Sequence, residues 1–456
     1  MMRYWLSLFL ITLISFCYAD EIADLTRGSS ISVAEEERIG IKWWRQNYSL
    51  LEPYNNFLLQ HYLEDLVARL RQGEELAHYE MNIRILSSQE FNAFAAPGGI
   101  VGVNLGLWRL AETESEFASV LAHELAHLSQ RHFIRMLEDA QQRSDVSLAG
   151  ALTGLGLVMS GNIPAGILAI YGTANFQLES QLRTSRRFET EADSQAILFM
   201  RRGQFSLSDA ANLYRRLLQA GGEESGAEYM RTHPFLADRI NAAQLRALGE
   251  EPVSTSHYSD YPYTRIYIAA QLGLPILHNY LTMGGTFAQY AQAMELIKNG
   301  KGEEAAILLK KVSDTHPLSH FLFLSYVEAL INTKQTGLAI DLLHKKKRYR
   351  RDDDIVWGYY LALAYAVEEN YKNAIKSMEE VIKNRPHDEY LWQLLQDYYE
   401  KSGDKYNTFR TRMAYQLLTG ETRSAEINYQ LAQQEVNKDE VLLARLESLH
   451  NDLTID

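Results

Sequence analysis

At 456 residues the chain is long enough for two or three domains. Its hydrophobic (46%) and charged (23%) fractions are ordinary for a globular protein, which argues against a disordered chain and against a polytopic membrane protein. A formal net charge of −13 argues against nucleic acid as the main partner and predicts an acid-leaning surface.

Residues 1–19 read as an export signal. Arg3 gives a short positive start, Trp5 to Phe16 is almost wholly apolar, and Cys17-Tyr18-Ala19 ends on a small residue. The apolar run is short for a membrane span, so cleavage near Ala19 is expected, with an uncleaved anchor as the alternative. The one cysteine, Cys17, lies in this segment. A mature chain without it would have no disulfide, no cysteine nucleophile and no thiolate-bound metal.

Ala34 to Leu70 has helical spacing interrupted near Pro53. Met81 to Leu86 (MNIRIL) alternates apolar and polar residues and predicts a strand. After the turn signal Pro97-Gly98-Gly99, Ile100 to Val103 predicts a second strand. An edge strand can hold an extended peptide as one more strand, and Ile100 to Val103 is the candidate. A plain core hairpin is the competing reading.

The chemistry begins in the next helix. Thr113 offers an N-cap hydroxyl, with Glu116 at the capping-box position. Within the helix lies His123-Glu124-Leu125-Ala126-His127, the H-E-x-x-H pattern. Positions i and i+4 stack on one helix face, so both imidazoles can reach a single ion, with Glu124 beside the water that ion binds. Zinc suits imidazole ligands, and a catalytic zinc keeps three protein ligands and an open position. Gln130 and Phe133 stand where the metzincin pattern needs Gly and His, so that arrangement is set aside. His132, five residues beyond His127, is expected off the ligand face at the surface.

Residues 147–176 form an apolar stretch interrupted by Gly150, Gly154, Gly156, Gly161, Pro164 and Gly166. The break near Pro164 predicts two short helices, either a buried cover for the active site or a surface touching lipid. Half-length segments seldom span a bilayer, which favours the cover. Downstream, Glu189 and Asp193 share a helix face, with Glu191 turned away. Glu189 can supply a third metal ligand, and Asp193 can hydrogen-bond a ligand imidazole. An acidic first turn on a solvated helix is the alternative, disfavoured by the motif upstream.

Residues 246–263 are mostly polar and read as a linker. Beyond them Ala305, Ala339 and Ala374 recur at spacings of 34 and 35 residues, and Pro317 and Pro386 each follow such an alanine by 12. This period, with small residues where paired helices approach, predicts a tetratricopeptide-repeat solenoid over residues 264–456. Thr408 replaces the next alanine, and Glu421 to Leu453 predicts a closing helix pair. The basic run Lys345 to Arg351 is either a solvated loop between repeats or a contact for an acidic partner or anionic headgroups.

Together these segments resemble a known family. N-A-F-A-x-P-G-G at Asn92 to Gly99, H-E-L-A-H at His123 to His127, E-x-E-A-D at Glu189 to Asp193 and T-H-P at Thr232 to Pro234 are similar to the gluzincin peptidases, which include the membrane-embedded CAAX prenyl endopeptidase. The signal and repeats point to the periplasmic members found in Gram-negative bacteria. The resemblance implies one Zn2+ per chain held by His123, His127 and Glu189, with Glu124 as general base and Asp193 in support. It also implies that His233 can reach the zinc and close the site, and that Arg239 lies near the site as a substrate or oxyanion contact; from the residues alone His233 could equally stabilise an oxyanion or pack on the surface.

The expected fold is mainly α (α+β): a helical zincin-type domain over residues 20–245 with a small sheet, then the repeat solenoid. The resemblance further implies a periplasmic endopeptidase that degrades misassembled outer-membrane β-barrel proteins and assists their assembly. Its implied partners are β-barrel precursors and, through the repeats, the barrel-assembly machinery, with peripheral membrane contact and no nucleic acid. The alternative is mainly a chaperone or scaffold acting through the repeats.

Overall fold

In the computed structural model, residues 31–143, 150, 153–154, 178–219, 229, 233, 259–347, 354–436 and 439–454 are described. The expected signal, most of the glycine-rich stretch 147–176, Arg239, and the tip of the basic run lie outside them. The architecture is mainly helical with one small sheet. No helix among the described residues is long and apolar enough to cross a membrane.

Helices α1 (Val33–Leu51) and α2 (Phe57–Leu70) are separated at Pro53, as the interrupted pattern predicts. Ser32 and Asn56 cap them by accepting hydrogen bonds from the backbone N–H groups of Glu35 and Leu59. Strands β1 (Asn82–Leu86), β2 (Ala93–Ala96) and β3 (Ile100–Asn104) form a sheet of order β1-β3-β2. β2 and β3 are an antiparallel hairpin turned by Gly98 and Gly99, both at positive φ, where L side chains are strained.

β3 is therefore the central strand, paired to parallel β1 on one side and to β2 on the other. This corrects the expectation that Ile100 to Val103 is the substrate edge, since both its hydrogen-bonding sides are taken. The wholly apolar run Ile100, Val101, Gly102, Val103 suits a strand buried on both faces better than an exposed edge. β2 is the strand lying against the H-E-x-x-H helix, and among the described residues no strand pairs with its outer side.

After the short α3 (Gly106–Leu110) come α4 (Glu114–Ser129), which carries the motif, α5 (His132–Arg143), α6 (Leu178–Arg202) and α7 (Leu207–Gln219). Helices α8 (Tyr261–Leu272) to α19 (Glu440–Leu453) then pack largely on their sequence neighbours. Ala305, Ala339 and Ala374 are fully buried, as the period requires. The closing pair is α18 (Thr422–Glu435) and α19.

The helical array returns to the first half of the chain at both ends. Near its start, Tyr261 donates to the Ala111 carbonyl at 2.8 Å, and the Trp108 indole donates to Thr264 at 3.0 Å. Trp108, Phe117 and Tyr261 pack ring on ring, so one apolar core runs from the motif helix into the array. Further along, Arg84 of β1 pairs with Glu389 at 3.0 Å, Arg385 pairs with Glu64, and Phe57 stacks on Tyr359. At the far end Arg45 of α1 donates to the Leu453 carbonyl at 2.6 Å.

Candidate metal centre

The motif helix is fixed at both ends. Thr113 caps it, accepting from the Glu116 N–H at 3.1 Å. The Glu116 carboxylate reaches back one residue beyond the cap, to the Glu112 N–H at 2.6 Å, and pairs with Arg216 of α7. At the other end Arg131 adopts φ 51°, and its guanidinium binds buried Glu36 at 2.8 Å and the Ile31 carbonyl at 2.7 Å. The left-handed residue breaks the helix and starts α5 at His132 in a new direction.

Between these ends, the i, i+4 spacing brings His123 and His127 together with their Nε2 atoms 3.0 Å apart. Glu189 arrives from α6, with Oε2 3.2 Å from His123 Nε2 and Oε1 3.4 Å from His127 Nε2. His233 completes the group: its Nδ1 lies 3.2 Å from His123 Nε2 and 3.2 Å from Glu189 Oε1. All four donors lie within 4.8 Å of one another.

These separations are short enough for one small cation to be shared. Zinc bonds of about 2.0–2.1 Å in tetrahedral geometry place ligand atoms roughly 3.3–3.4 Å apart. The five separations above run from 3.0 to 3.4 Å. Three imidazole nitrogens turned toward one carboxylate and one another are a donor set that a divalent cation satisfies. Borderline-soft nitrogen with one carboxylate oxygen is the chemistry zinc prefers over magnesium or calcium.

The electrostatics agree. Burial disfavours the charge on Glu189, yet the neighbouring imidazoles of His233 and His123 hold its carboxyl well below the usual range, so it stays a carboxylate. Burial pushes His233 down to about 4 against the pull of Glu189, leaving it a neutral donor. Asp193 Oδ1 sits 3.0 Å from His123 Nδ1, so a carboxylate on one side of the ring directs Nε2 to the other.

Glu124 does not join the donor cluster. Its Oε1 lies 3.3 Å from His233 Nε2, so His233 spans the cluster with one nitrogen and the carboxylate of Glu124 with the other. The His233 ring rests on Tyr229 at 4.7 Å, which packs edge-on to Phe91 just before β2, and the His233 backbone N–H donates to the Tyr229 carbonyl at 2.8 Å.

One residue departs from the sequence reading. His132 is not on the surface: it is 4% exposed, and its Nδ1 lies 2.8 Å from His127 Nδ1. An unbroken helix would carry position 132 away from the ligand face, but the reversal at Arg131 turns it back. Glu191 faces away from the cluster as expected, and meets His132 Nε2 at 3.2 Å. The only sequence signal for this pairing was a histidine and an acid close to two motifs. Burial pushes His132 down to about 3. Burial also opposes the charge on Glu191, but hydrogen bonds from His132, Arg135 and Arg187 hold its carboxyl far below the ordinary range.

Comparison with known proteins agrees with this geometry. Residues 55–247 match the model of peptidase family M48. The chain is 27% identical over 379 residues to a beta-barrel assembly-enhancing protease of Yersinia pestis, covering 81% of this chain and 78% of that protein. It is 26% identical over 395 residues to the protein of the same name from Escherichia coli, covering 83% and 80%. A mitochondrial metalloendopeptidase of Schizosaccharomyces pombe is 28% identical over 225 residues, covering 48% of this chain and 63% of that protein. The family match and the names of these relatives support a metalloendopeptidase.

Proposed function

We propose that this chain is an exported, zinc-dependent endopeptidase of a Gram-negative envelope that removes misassembled outer-membrane β-barrel proteins and assists their assembly. In this reading His233 holds the resting enzyme inhibited. The names of the bacterial relatives support the substrate class, and the helical array of residues 264–456, read as tetratricopeptide repeats, offers a surface for barrel precursors and the assembly machinery.

The residues divide the work as follows. His123, His127 and Glu189 hold one Zn2+, and Asp193 orients His123. Zinc, when bound, supplies Lewis-acid chemistry, making the attacking water more acidic and the scissile carbonyl more electrophilic. Glu124 takes the proton from the attacking water and passes it to the leaving amine nitrogen. The outer side of β2 is the place where an extended substrate can lie beside the motif helix.

The observation that carries the regulated reading is the position of His233. Its Nδ1 lies 3.2 Å from Glu189 Oε1, where it would take up the position that a catalytic zinc leaves open, and its Nε2 lies 3.3 Å from Glu124 Oε1. Turnover requires the His233 ring to withdraw. The same contact favours a second reading, in which the chain works mainly as a chaperone or scaffold with little basal proteolysis.

Glu124→Gln separates the two. It preserves the shape of the side chain and removes the base. As a protease, the variant leaves stalled barrel precursors to accumulate in cells; disappearance of precursors at the wild-type rate would leave the scaffold reading.

A further inference from the structure

The side of His127 turned away from the donor cluster is built as closely as the cluster itself. His127 Nδ1 lies 2.8 Å from His132 Nδ1, and His132 Nε2 lies 3.2 Å from Glu191 Oε2. The His132 ring is buried and stacks on Phe188 at 4.4 Å with 17° between planes. Glu191 is held in turn by Arg135 at 2.6 Å and Arg187 at 2.7 Å.

One assignment of protons satisfies every contact. A ligating His127 Nε2 must be bare, so the neutral ring carries its proton on Nδ1. Between two Nδ1 atoms at hydrogen-bond distance one must donate and the other accept, so His132 Nδ1 is bare. Neutral His132 then carries its proton on Nε2, where Glu191 accepts it. The order runs Glu191 carboxylate, His132, His127, cluster, with each hydrogen bond directed toward the carboxylate.

We propose that His132 and Glu191 are positioning residues for the metal site: they fix the tautomer and orientation of His127 and strengthen it as a ligand. The inference rests on His127 being a metal ligand, as proposed above. The two motif histidines are then held by different means, His123 directly by Asp193 and His127 through an intervening imidazole. Helix α6 supplies all three acids: Glu189 to the cluster, Asp193 to one histidine and Glu191 to the support of the other. Loss of such outer support characteristically weakens metal affinity by about 10- to 100-fold.

The test measures Zn2+ affinity of the full chain by competition with a chromophoric chelator, for wild type, His132→Leu, His132→Asn and His127→Ala. His132→Leu is expected to bind zinc about 10- to 100-fold more weakly. His132→Asn, which places an acceptor oxygen near the former Nδ1, recovers most of that loss. The visible spectrum of the Co2+-loaded protein shifts in the Leu variant and returns toward wild type in the Asn variant. Equal affinity for wild type and His132→Leu overturns the proposal, as does an equal loss in the Leu and Asn variants, which would mean that the ring only fills space against Phe188. Loss of zinc in His127→Ala with none in His132→Leu refutes this inference alone, whereas undiminished binding in His127→Ala refutes the ligand reading beneath it. If His132→Leu does not fold, Glu191→Ala at the more exposed end must weaken zinc in the same direction, and an unchanged affinity there overturns the proposal.

Discussion

Replacing His233 with alanine tests whether the resting site is closed by its own chain. The wild-type ring makes two contacts that the open enzyme cannot keep: Nδ1 to the donor cluster, 3.2 Å from Glu189, and Nε2 to Glu124 at 3.3 Å. A hydrogen bond to a charged group contributes about 1.5–3 kcal/mol net. At about 1.4 kcal/mol per factor of ten, loss of the Nδ1 hydrogen bond to Glu189 alone moves the closed-to-open balance by roughly 10- to 150-fold. His233→Ala should therefore raise kcat/KM for a loosely folded, fluorescently labelled polypeptide by about tenfold or more, up to the point where the site is fully open. His123, His127 and Glu189 remain, so metal analysis of the variant should still find one divalent cation per chain. Adding Glu124→Gln to the same chain must abolish the gained activity, which assigns it to this site. Unchanged or lower kcat/KM in His233→Ala, with zinc retained, would show that His233 is not the closing element.

Two further predictions concern the frame that holds the site. Arg84→Met leaves Glu389, whose side chain is 3% exposed, without its cation, and breaking such a buried pair costs about 3–5 kcal/mol. Urea unfolding should show that loss, and the double variant Arg84→Met/Glu389→Leu should regain most of it; a single variant within about 0.5 kcal/mol of wild type would mean that the array does not depend on this pair. Gly40→Ala in α1 sets a gain against a clash. Alanine improves helix propensity by about 0.8–1.0 kcal/mol. Its Cβ would meet the Pro97 carbonyl oxygen at 2.0 Å, which is backbone and has nowhere to go. Overpacking of that kind costs about 1–3 kcal/mol, so the melting temperature should fall, and a rise would refute the close approach of α1 to the β2–β3 turn.

Local pattern was enough to bring the candidate site residues together. His123 and His127 are neighbours because a helix places i and i+4 on one face, and Thr113 opens that helix by satisfying an orphan N–H; neither depends on distant parts of the chain. The buried alanines of the array are legible for a similar reason, since helices that repeat the same approach need a small residue at the same interval. Glu189 and Asp193 could be matched to the motif by type and spacing, and the fold brings both to His123.

Tertiary structure decided what lies between such segments. Strand order is set by which chain enters between two others, and β3 took the centre, leaving β2 at the edge beside the motif helix. His132 came back to His127 because Arg131 adopts a left-handed conformation, held by Glu36 of α1 almost a hundred residues away. Helical periodicity carries no mark of a single backbone reversal stabilised by a remote carboxylate. The contact of His233 with Glu124 and the seam from Arg84 to Glu389 are likewise long-range pairings, whose partners only the folded chain selects.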